Sequence, residues 1–269
     1  MNKPVKGQHG STPNTEEALT SCFIKKLNVF KTIGSNEARY LRRLSRRSQH
    51  YDAGEEIIHN GERYGLVFIL HEGWAIRYHL LSDGRRQIAN FILPGDFMCL
   101  NATIFEESEF TISTLTKVRC STFRPEDIVS LTGTHPMLGA AIFWCNAREE
   151  TMVEEHLISV GRRNARERVA HLLVELWRRQ ELVGLTKDGC YTLPLTQTLI
   201  ADSVGLTPIY VNKIMRELTD AKLISCRRVP TPRIHIDNID GLEKLAGYED
   251  SYLHFTRIPS RTRKALSSA

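Results

Sequence analysis

The hydrophobic pattern in the first half of the chain consists of short apolar runs separated by glycines. The runs occupy residues 55–61, 66–73, 74–84, 85–95 and 111–123 and are rich in Ile, Leu, Val and aromatic residues. The Asp83-Gly84 pair between two of them favours a tight hairpin turn. Many short strands with regular turns predict a β-barrel or sandwich from about Ser48 to Phe123.

Near Pro125 the strand pattern stops, and residues 135–161 have the periodicity of one long helix. Pro136 suits its first turn. A polar residue, Glu149, interrupts the apolar stripe. A long stripe with a polar break between two domains predicts a dimer seam, and the alternative is a helix that packs only on the β domain. The stripe comprises Leu138, Ile142, Cys145, Met152, Val153, Leu157 and Val160.

A second amphipathic helix is predicted over residues 166–180, preceded by Asn164 and Glu167 in the pattern of a capping box. Residues 223–237 alternate apolar and polar positions, which predicts a small hairpin with its turn at 230–232. Residues 239–248 predict a last short helix.

Residues 196–218 contain two short amphipathic patterns joined at Gly205, where a glycine permits the left-handed turn that ends a helix. Thr207 is placed to cap the next helix. Pro208 then occupies the first helical position, where its missing N–H costs nothing. We expect Ala201 and Gly205 to be small because the two helices cross closely. The face predicted to be buried in the second helix comprises Val211, Ile214, Met215 and Leu218.

The opposite face of the second helix carries Ile209, Asn212, Lys213 and Arg216. An amide and two cations can bond to base edges and phosphates, and an apolar group can contact a thymine methyl. The two patterns therefore predict a helix-turn-helix whose second helix reads DNA.

The order of elements resembles the Crp/Fnr family of bacterial transcription regulators. The residues that carry the resemblance are the glycine-punctuated strands ending at 93–97 (LPGDF) and the segment 193–218 (LPLTQTLIADSVGLTPIYVNKIMREL). The resemblance implies an α+β fold: an N-terminal β-roll of the cyclic-nucleotide-binding type, a long dimerisation helix and a C-terminal winged helix-turn-helix. It also implies a homodimer on a near-palindromic DNA site, with RNA polymerase as a further partner.

By the same resemblance, Ile209, Asn212 and Lys213 face bases, whereas Thr196, Gln197 and Arg216 face phosphates, and Thr207 belongs to the DNA-binding set. The expected boundaries are a disordered leader at 1–21, the β-roll at 22–134 and the dimerisation helix at 135–161. The winged helix-turn-helix follows at 162–255, and a basic tail occupies 256–269.

Charge supports this division of the chain. The whole protein has a net charge of +5, but residues 161–269 hold 18 Lys and Arg against 12 Asp and Glu. A basic C-terminal half is typical of a domain that meets a polyanion. No apolar run is long enough for a membrane span, and the polar N-terminus has no signal-peptide core, so we expect a cytoplasmic protein with reduced thiols.

The effector is harder to predict. The family's cyclic-nucleotide binders use a Glu for the ribose and an Arg for the phosphate, but here Leu100 and Phe110-Thr111 stand at those positions. Three acids, Glu106, Glu107 and Glu109, oppose a phosphate. The effector-pocket candidates are Cys99, Leu100, Phe110 and Thr111.

Four other possibilities remain open: a haem held by one of the histidines, redox control through Cys99 or Cys226, an unidentified small molecule, and no ligand at all. The histidines considered are His50, His59, His71 and His79. The single cysteine near the N-terminus, Cys22, makes an iron–sulfur cluster unfavourable.

No enzyme motif is present: the chain has no phosphate-binding loop, no GxSxG and no HExxH. We therefore expect no catalytic residues, no cofactor and no metal site. The alternative to a DNA-binding regulator is a ligand- or redox-responsive binding module that acts through protein partners.

Overall fold

The computed structural model describes residues 22–44, 48–63, 65–187, 190–227 and 233–254. The predicted leader at 1–21, the turn at 230–232 and the tail at 256–269 lie outside these ranges. The fold is α+β, with an N-terminal β-roll, a long helix and a C-terminal helix-turn-helix domain. Among the described residues, no helix combines the length and apolarity that crossing a membrane requires.

The roll consists of two four-stranded antiparallel sheets. One has the order β1–β8–β3–β6, and the other has the order β2–β7–β4–β5. The strands are β1 (Ser48–Tyr51), β2 (Glu56–Ile58), β3 (Val67–Glu72), β4 (Ala75–Leu80), β5 (Arg86–Ile92), β6 (Phe97–Met98), β7 (Thr111–Thr114) and β8 (Val118–Phe123). The predicted hairpin at Asp83-Gly84 is confirmed, because β4 pairs with β5 and Gly84 has a φ of +85°.

Gly73, between β3 and β4, shows why a glycine is required at one of the predicted turns. Its φ is +88°, and a Cβ there would lie 2.1 Å from the carbonyl oxygen of Lys117. No other residue type fits this close approach of two backbones.

Three helices accompany the strands, and the pattern of apolar runs did not predict them. They are α1 (Cys22–Phe30), α2 (Ser35–Leu44) and α3 (Pro125–Thr134). The helix α1 packs on the roll through Phe23, whose ring meets that of Phe97 edge-on at 5.1 Å. A nine-residue helix gains its stability from this kind of tertiary packing and not from its own periodicity, which explains the omission.

The long helix is confirmed as α4 (Pro136–Arg162), but its apolar residues lie on two different faces. Leu138, Ile142, Cys145 and Met152 are buried within the chain. Phe143, Val153, Leu157 and Val160 are exposed, with Phe143 and Leu157 both at 73%. The predicted single stripe is therefore wrong, because its first half packs on the roll and its second half joins Phe143 on an open face.

The C-terminal domain begins with α5 (Ala165–Leu182), whose predicted capping box of Asn164 and Glu167 is confirmed by both hydrogen bonds. The rest of the domain consists of a three-stranded sheet of order β10–β11–β9 and three helices. The elements are β9 (Cys190–Thr192), α6 (Gln197–Val204), α7 (Pro208–Asp220), β10 (Ile224–Arg227), β11 (Arg233–Ile236) and α8 (Ile239–Ala246). The core of this domain continues into the β4–β5 hairpin through residues such as Ile76 and Phe91.

A buried ionic network joins the roll to the C-terminal domain. Arg179 of α5 donates to Asp96 of the roll at 2.8 Å, and Lys26 of α1 donates to the other oxygen of Asp96 at 2.6 Å. Arg179 also lies 3.3 Å from Glu175, which accepts from His156 of α4 at 3.0 Å. Arg179 and Glu175 side chains are 3% and 1% exposed, so these charges depend on one another for stabilisation.

Candidate functional site

Two helices and the turn between them form the candidate nucleic-acid interface. The turn residue Gly205 has a φ of +66° and ends α6. The Thr207 hydroxyl accepts the N–H of Tyr210 at 3.3 Å, and Pro208 occupies the first position of α7. The capping and the role of the proline are therefore confirmed.

Packing of α6 against α7 agrees with the predicted faces in most positions. Ile200, Ala201 and Val204 are buried on α6, as are Val211, Ile214 and Leu218 on α7, whereas Met215 is only half-buried. The expected close crossing at Gly205 is not found, because the nearest atoms to a Cβ there, on Arg168 and Val160, are 3.8 Å away. The left-handed φ explains the glycine instead.

The predicted reading face of α7 is open to solvent. Ile209 is 85% exposed, Lys213 and Arg216 are exposed, and Asn212 is half-buried. Ile209 therefore presents a large aliphatic side chain to solvent on the same face as three polar side chains. The structure thus brings all four predicted reader residues onto one surface.

The predicted phosphate-facing residues of α6 lie at the start of that helix. Thr196 is exposed, and its hydroxyl caps the helix by accepting the N–H of Leu199 at 3.2 Å. Gln197 is half-buried at the first helical position. Helix N-termini carry partial positive charge and attract phosphate groups, so this end of α6 is suited to a backbone contact.

Tyr210, which the sequence pattern did not single out, is 45% exposed in the first turn of α7. Its phenol can both donate and accept hydrogen bonds. Its position next to Ile209 in a reader helix was the available signal. In the hairpin β10–β11, which stands where the family has its wing, Cys226 is exposed. Arg228, two residues further along the chain, lies outside the described residues.

The four effector-pocket candidates separate in the structure. Cys99 is buried with a φ of 63°, and burial raises the pKa of its thiol well above the usual range, which disfavours the reactive thiolate. Leu100 packs against the core that holds α1. The Thr111 hydroxyl accepts the N–H of Asn60 at 3.3 Å. Phe110, which is 6% exposed, contributes to a cleft.

This cleft lies between the roll and α4 and has a volume of about 560 Å³. Arg77 of β4 sits in it, 3.3 Å from the carboxylate of Glu149 on α4. The Arg77 guanidinium also lies over the ring of Phe110 at 5.2 Å. Of the described residues that line the cleft, Arg77 alone carries a permanent positive charge. The lining comprises Arg77, His79, Ala89, Asn101, Phe105, Glu106, Glu107, Glu109, Phe110 and Val153.

The histidines considered for haem are dispersed. His50, His59 and His79 are exposed. His71 is buried, its Nε2 lies 2.5 Å from the hydroxyl oxygen of Ser121, and burial together with Arg119 lowers its pKa to about 4. Within the described ranges, no three or more His, Cys, Asp or Glu residues are grouped as a metal would require.

Comparison with known proteins agrees with this geometry. Residues 48–135 match the family model of the cyclic nucleotide-binding domain, and residues 167–245 match that of the Crp-like helix-turn-helix domain. The nitrogen fixation regulation protein FixK of Bradyrhizobium diazoefficiens is 30% identical over 199 residues, which cover 74% of this chain and 82% of FixK.

Two further matches extend the comparison. The transcriptional activatory protein AadR of Rhodopseudomonas palustris is 31% identical over 207 residues, which cover 76% of this chain and 84% of AadR. The solved structure of FixK2 from Bradyrhizobium japonicum matches with a TM-score of 0.68 at 26% identity, covering 76% of this chain and 98% of FixK2.

Proposed function

The chain belongs to the Crp/Fnr family of DNA-binding transcriptional regulators, and we propose that it acts as a homodimer that reads a near-palindromic site with one α7 helix per half-site. The exposed face of α7, formed by Ile209, Asn212, Lys213 and Arg216, is the observation that carries this proposal. RNA polymerase at the promoter is the expected protein partner.

The chemistry of that face suits the major groove. Asn212 can form paired hydrogen bonds with an adenine edge, Lys213 can donate to guanine, and Ile209 can contact a thymine methyl. Arg216 lies further along α7 and is suited to a phosphate. Thr196 and Gln197 at the N-terminus of α6 supply a second phosphate contact, so that two helices fix the register of the reader.

The open face of α4 supplies the dimer seam. Phe143, Val153, Leu157 and Val160 lie on it at intervals that match whole helical turns, with Glu150 between them. Four exposed apolar side chains on one face of a long helix are costly in a monomer, and the same face of a second copy would cover them. A symmetric pairing of α4 helices also places two reader helices on one DNA duplex.

Selection of bound duplexes from a random pool, with purified protein and nothing added, tests the proposal. An enriched palindrome with half-sites about one helical turn, ~34 Å, apart is expected. Binding to that duplex should weaken steeply with salt, because Lys and Arg displace phosphate counterions. Failure to enrich any sequence would favour a module that acts through protein partners.

A further inference from the structure

The cleft between the roll and α4 does not fit a cyclic nucleotide. An anionic phosphate needs a committed cation, but the guanidinium of Arg77 is already engaged by Glu149 and by the ring of Phe110. Glu106, Glu107 and Glu109 are among the residues that line the same cleft. A phosphate there would have to replace Glu149 and then lie beside three further negative charges.

We propose that the Arg77–Glu149 ion pair, stacked on Phe110, replaces a small-molecule ligand by fastening the roll to the long helix, so that the DNA-binding arrangement forms with the cleft empty of any nucleotide. This inference rests on the proposed function for its link to DNA. The fastening itself is a property of the folded chain and is measurable without DNA.

The position of the pair explains how it would act on the long helix. Arg77 and Glu149 are 72 residues apart in the chain, and their side chains are 17% and 21% exposed. Partial burial strengthens an ion pair relative to one at the surface. Glu149 lies on α4 beside Glu150 of the open face, so the pair sets how that face is presented to a second copy.

The strand pair β4–β5 also contacts the helix-turn-helix. Arg77 lies on β4, and the next strand, β5, carries Arg86, which donates two hydrogen bonds to Asp202 of α6 at 2.9 and 2.7 Å. Gln87 also donates to the backbone carbonyl of Ser203 at 3.2 Å. The β4–β5 hairpin therefore contacts α4 at one end and the helix-turn-helix at the other, and a shift of Arg77 would reach both.

A double-mutant cycle tests the fastening. The variants are Arg77→Gln, Glu149→Gln, the double variant that carries both substitutions, and the charge reversal that combines Arg77→Glu with Glu149→Arg. The matched control is the cycle of Arg119→Gln and Glu72→Gln, an Arg–Glu pair between two strands of the other sheet of the roll. Each variant is measured by thermal unfolding, by affinity for the selected duplex, and by calorimetric titration with cAMP and with cGMP.

The wild type should give no binding heat with either nucleotide and should bind the duplex unaided. Each single substitution at Arg77 or Glu149 should weaken duplex binding by about 5- to 20-fold. The double variant should bind the duplex no more weakly than the single variant with the lower affinity, because the two residues form one unit. The charge reversal should recover part of the loss. The control cycle should change duplex binding by less than about twofold.

Three results would overturn the inference. They are micromolar nucleotide binding by the wild type, additive effects of the two single substitutions on the unfolding temperature, and single substitutions that change neither the unfolding temperature nor the affinity for the duplex. Failure of the proposed function looks different. In that case no duplex is selected, while the unfolding cycle and the titrations still report whether the pair fastens the roll to α4 and excludes the nucleotide.

Discussion

The reader helix and the junction between the roll and α5 place polar residues in opposite ways. On the predicted reading face of α7, Lys213 and Arg216 are exposed, and Ile209 beside them is 85% exposed. At the junction, Asp96, Arg179 and Glu175 are almost fully buried, and each bonds to residues of other elements. The first set is arranged for an external partner, whereas the second set is arranged for the fold.

The two sets of residues should therefore respond differently to substitution. Removing a side chain from the exposed face of α7 should weaken the proposed contact with DNA and leave the fold unchanged. Removing one charge at the junction leaves another buried charge without its partner, which is far more costly than the loss of a surface ion pair.

The largest expected effect follows from Arg179→Ala. Asp96 and Glu175 would remain buried after losing this cation, and the unfolding free energy should fall by about 3–5 kcal/mol. Chemical denaturation at neutral pH measures the change. The control is Arg85→Ala, which removes a surface partner of Asp83 and should cost less than about 0.5 kcal/mol. Equal effects at the two sites would show that the buried network contributes nothing special.

A second test concerns the open face of α4. Phe143→Glu places a carboxylate in the proposed dimer seam and should weaken dimerisation by roughly 2–4 kcal/mol. Analytical ultracentrifugation measures the dissociation constant. The control is Val129→Glu on α3, which is also exposed, at 48%, but lies off α4. A dimer that is unchanged by Phe143→Glu would place the seam elsewhere.

A third test concerns the reader face. Asn212→Ala and Lys213→Ala should each cost roughly 1–3 kcal/mol at the selected DNA site, with a smaller loss on random DNA. Their unfolding free energies should stay within about 0.5 kcal/mol of the wild type. Lys244→Ala on α8 removes the same charge from the same domain and serves as the control. An equal loss on both kinds of DNA would mean that α7 is not the reader.

The sequence was sufficient to predict the helix-turn-helix because its determinants are local. Gly205, Thr207 and Pro208 set the turn and the start of α7, and the 3.6-residue period assigns each side chain to a face. The capping box at Asn164 and Glu167 was predictable for the same reason. Each of these depends on residues within a few positions of one another.

The cleft and the junction were not predictable, because they depend on contacts between distant residues. Nothing near Arg77 in the sequence indicates Glu149, and Glu149 was interpreted only as a break in an apolar stripe. Arg179 similarly meets Asp96 from 83 positions away. The period of α4 also could not reveal which apolar residues meet the roll, since both of its faces are apolar.

The smallest expected effect comes from His156, whose protonation makes the stability of the junction depend on pH. Burial lowers the pKa of His156, but the Glu175 carboxylate and the carbonyl of Ala89 outweigh it, so that the pKa is raised. Both ring nitrogens face acceptors, at 3.0 and 3.2 Å, so the charged imidazolium is the favoured form. A raised folded pKa stabilises the protein fully below the unfolded value of about 6.5, and the contribution is lost as pH rises through the folded value.

His156→Gln should therefore destabilise the protein most at about pH 6.5, by on the order of 1 kcal/mol, and progressively less toward pH 9. Burial is the main cause that lowers the pKa of His171 to about 4. Neutral His171 therefore contributes stability that the protein loses as the pH falls below about 6.5. Because the His156 charge is one cause of that lowered pKa, the two unfolding curves are compared from about pH 6.5 to about pH 9, where the folded protein holds His171 neutral with or without His156. The control is His50→Gln, which removes an imidazole from an exposed position. A His156 difference that grows with pH would show that the ring is neutral and that the junction, unlike the reader, holds no additional positive charge there.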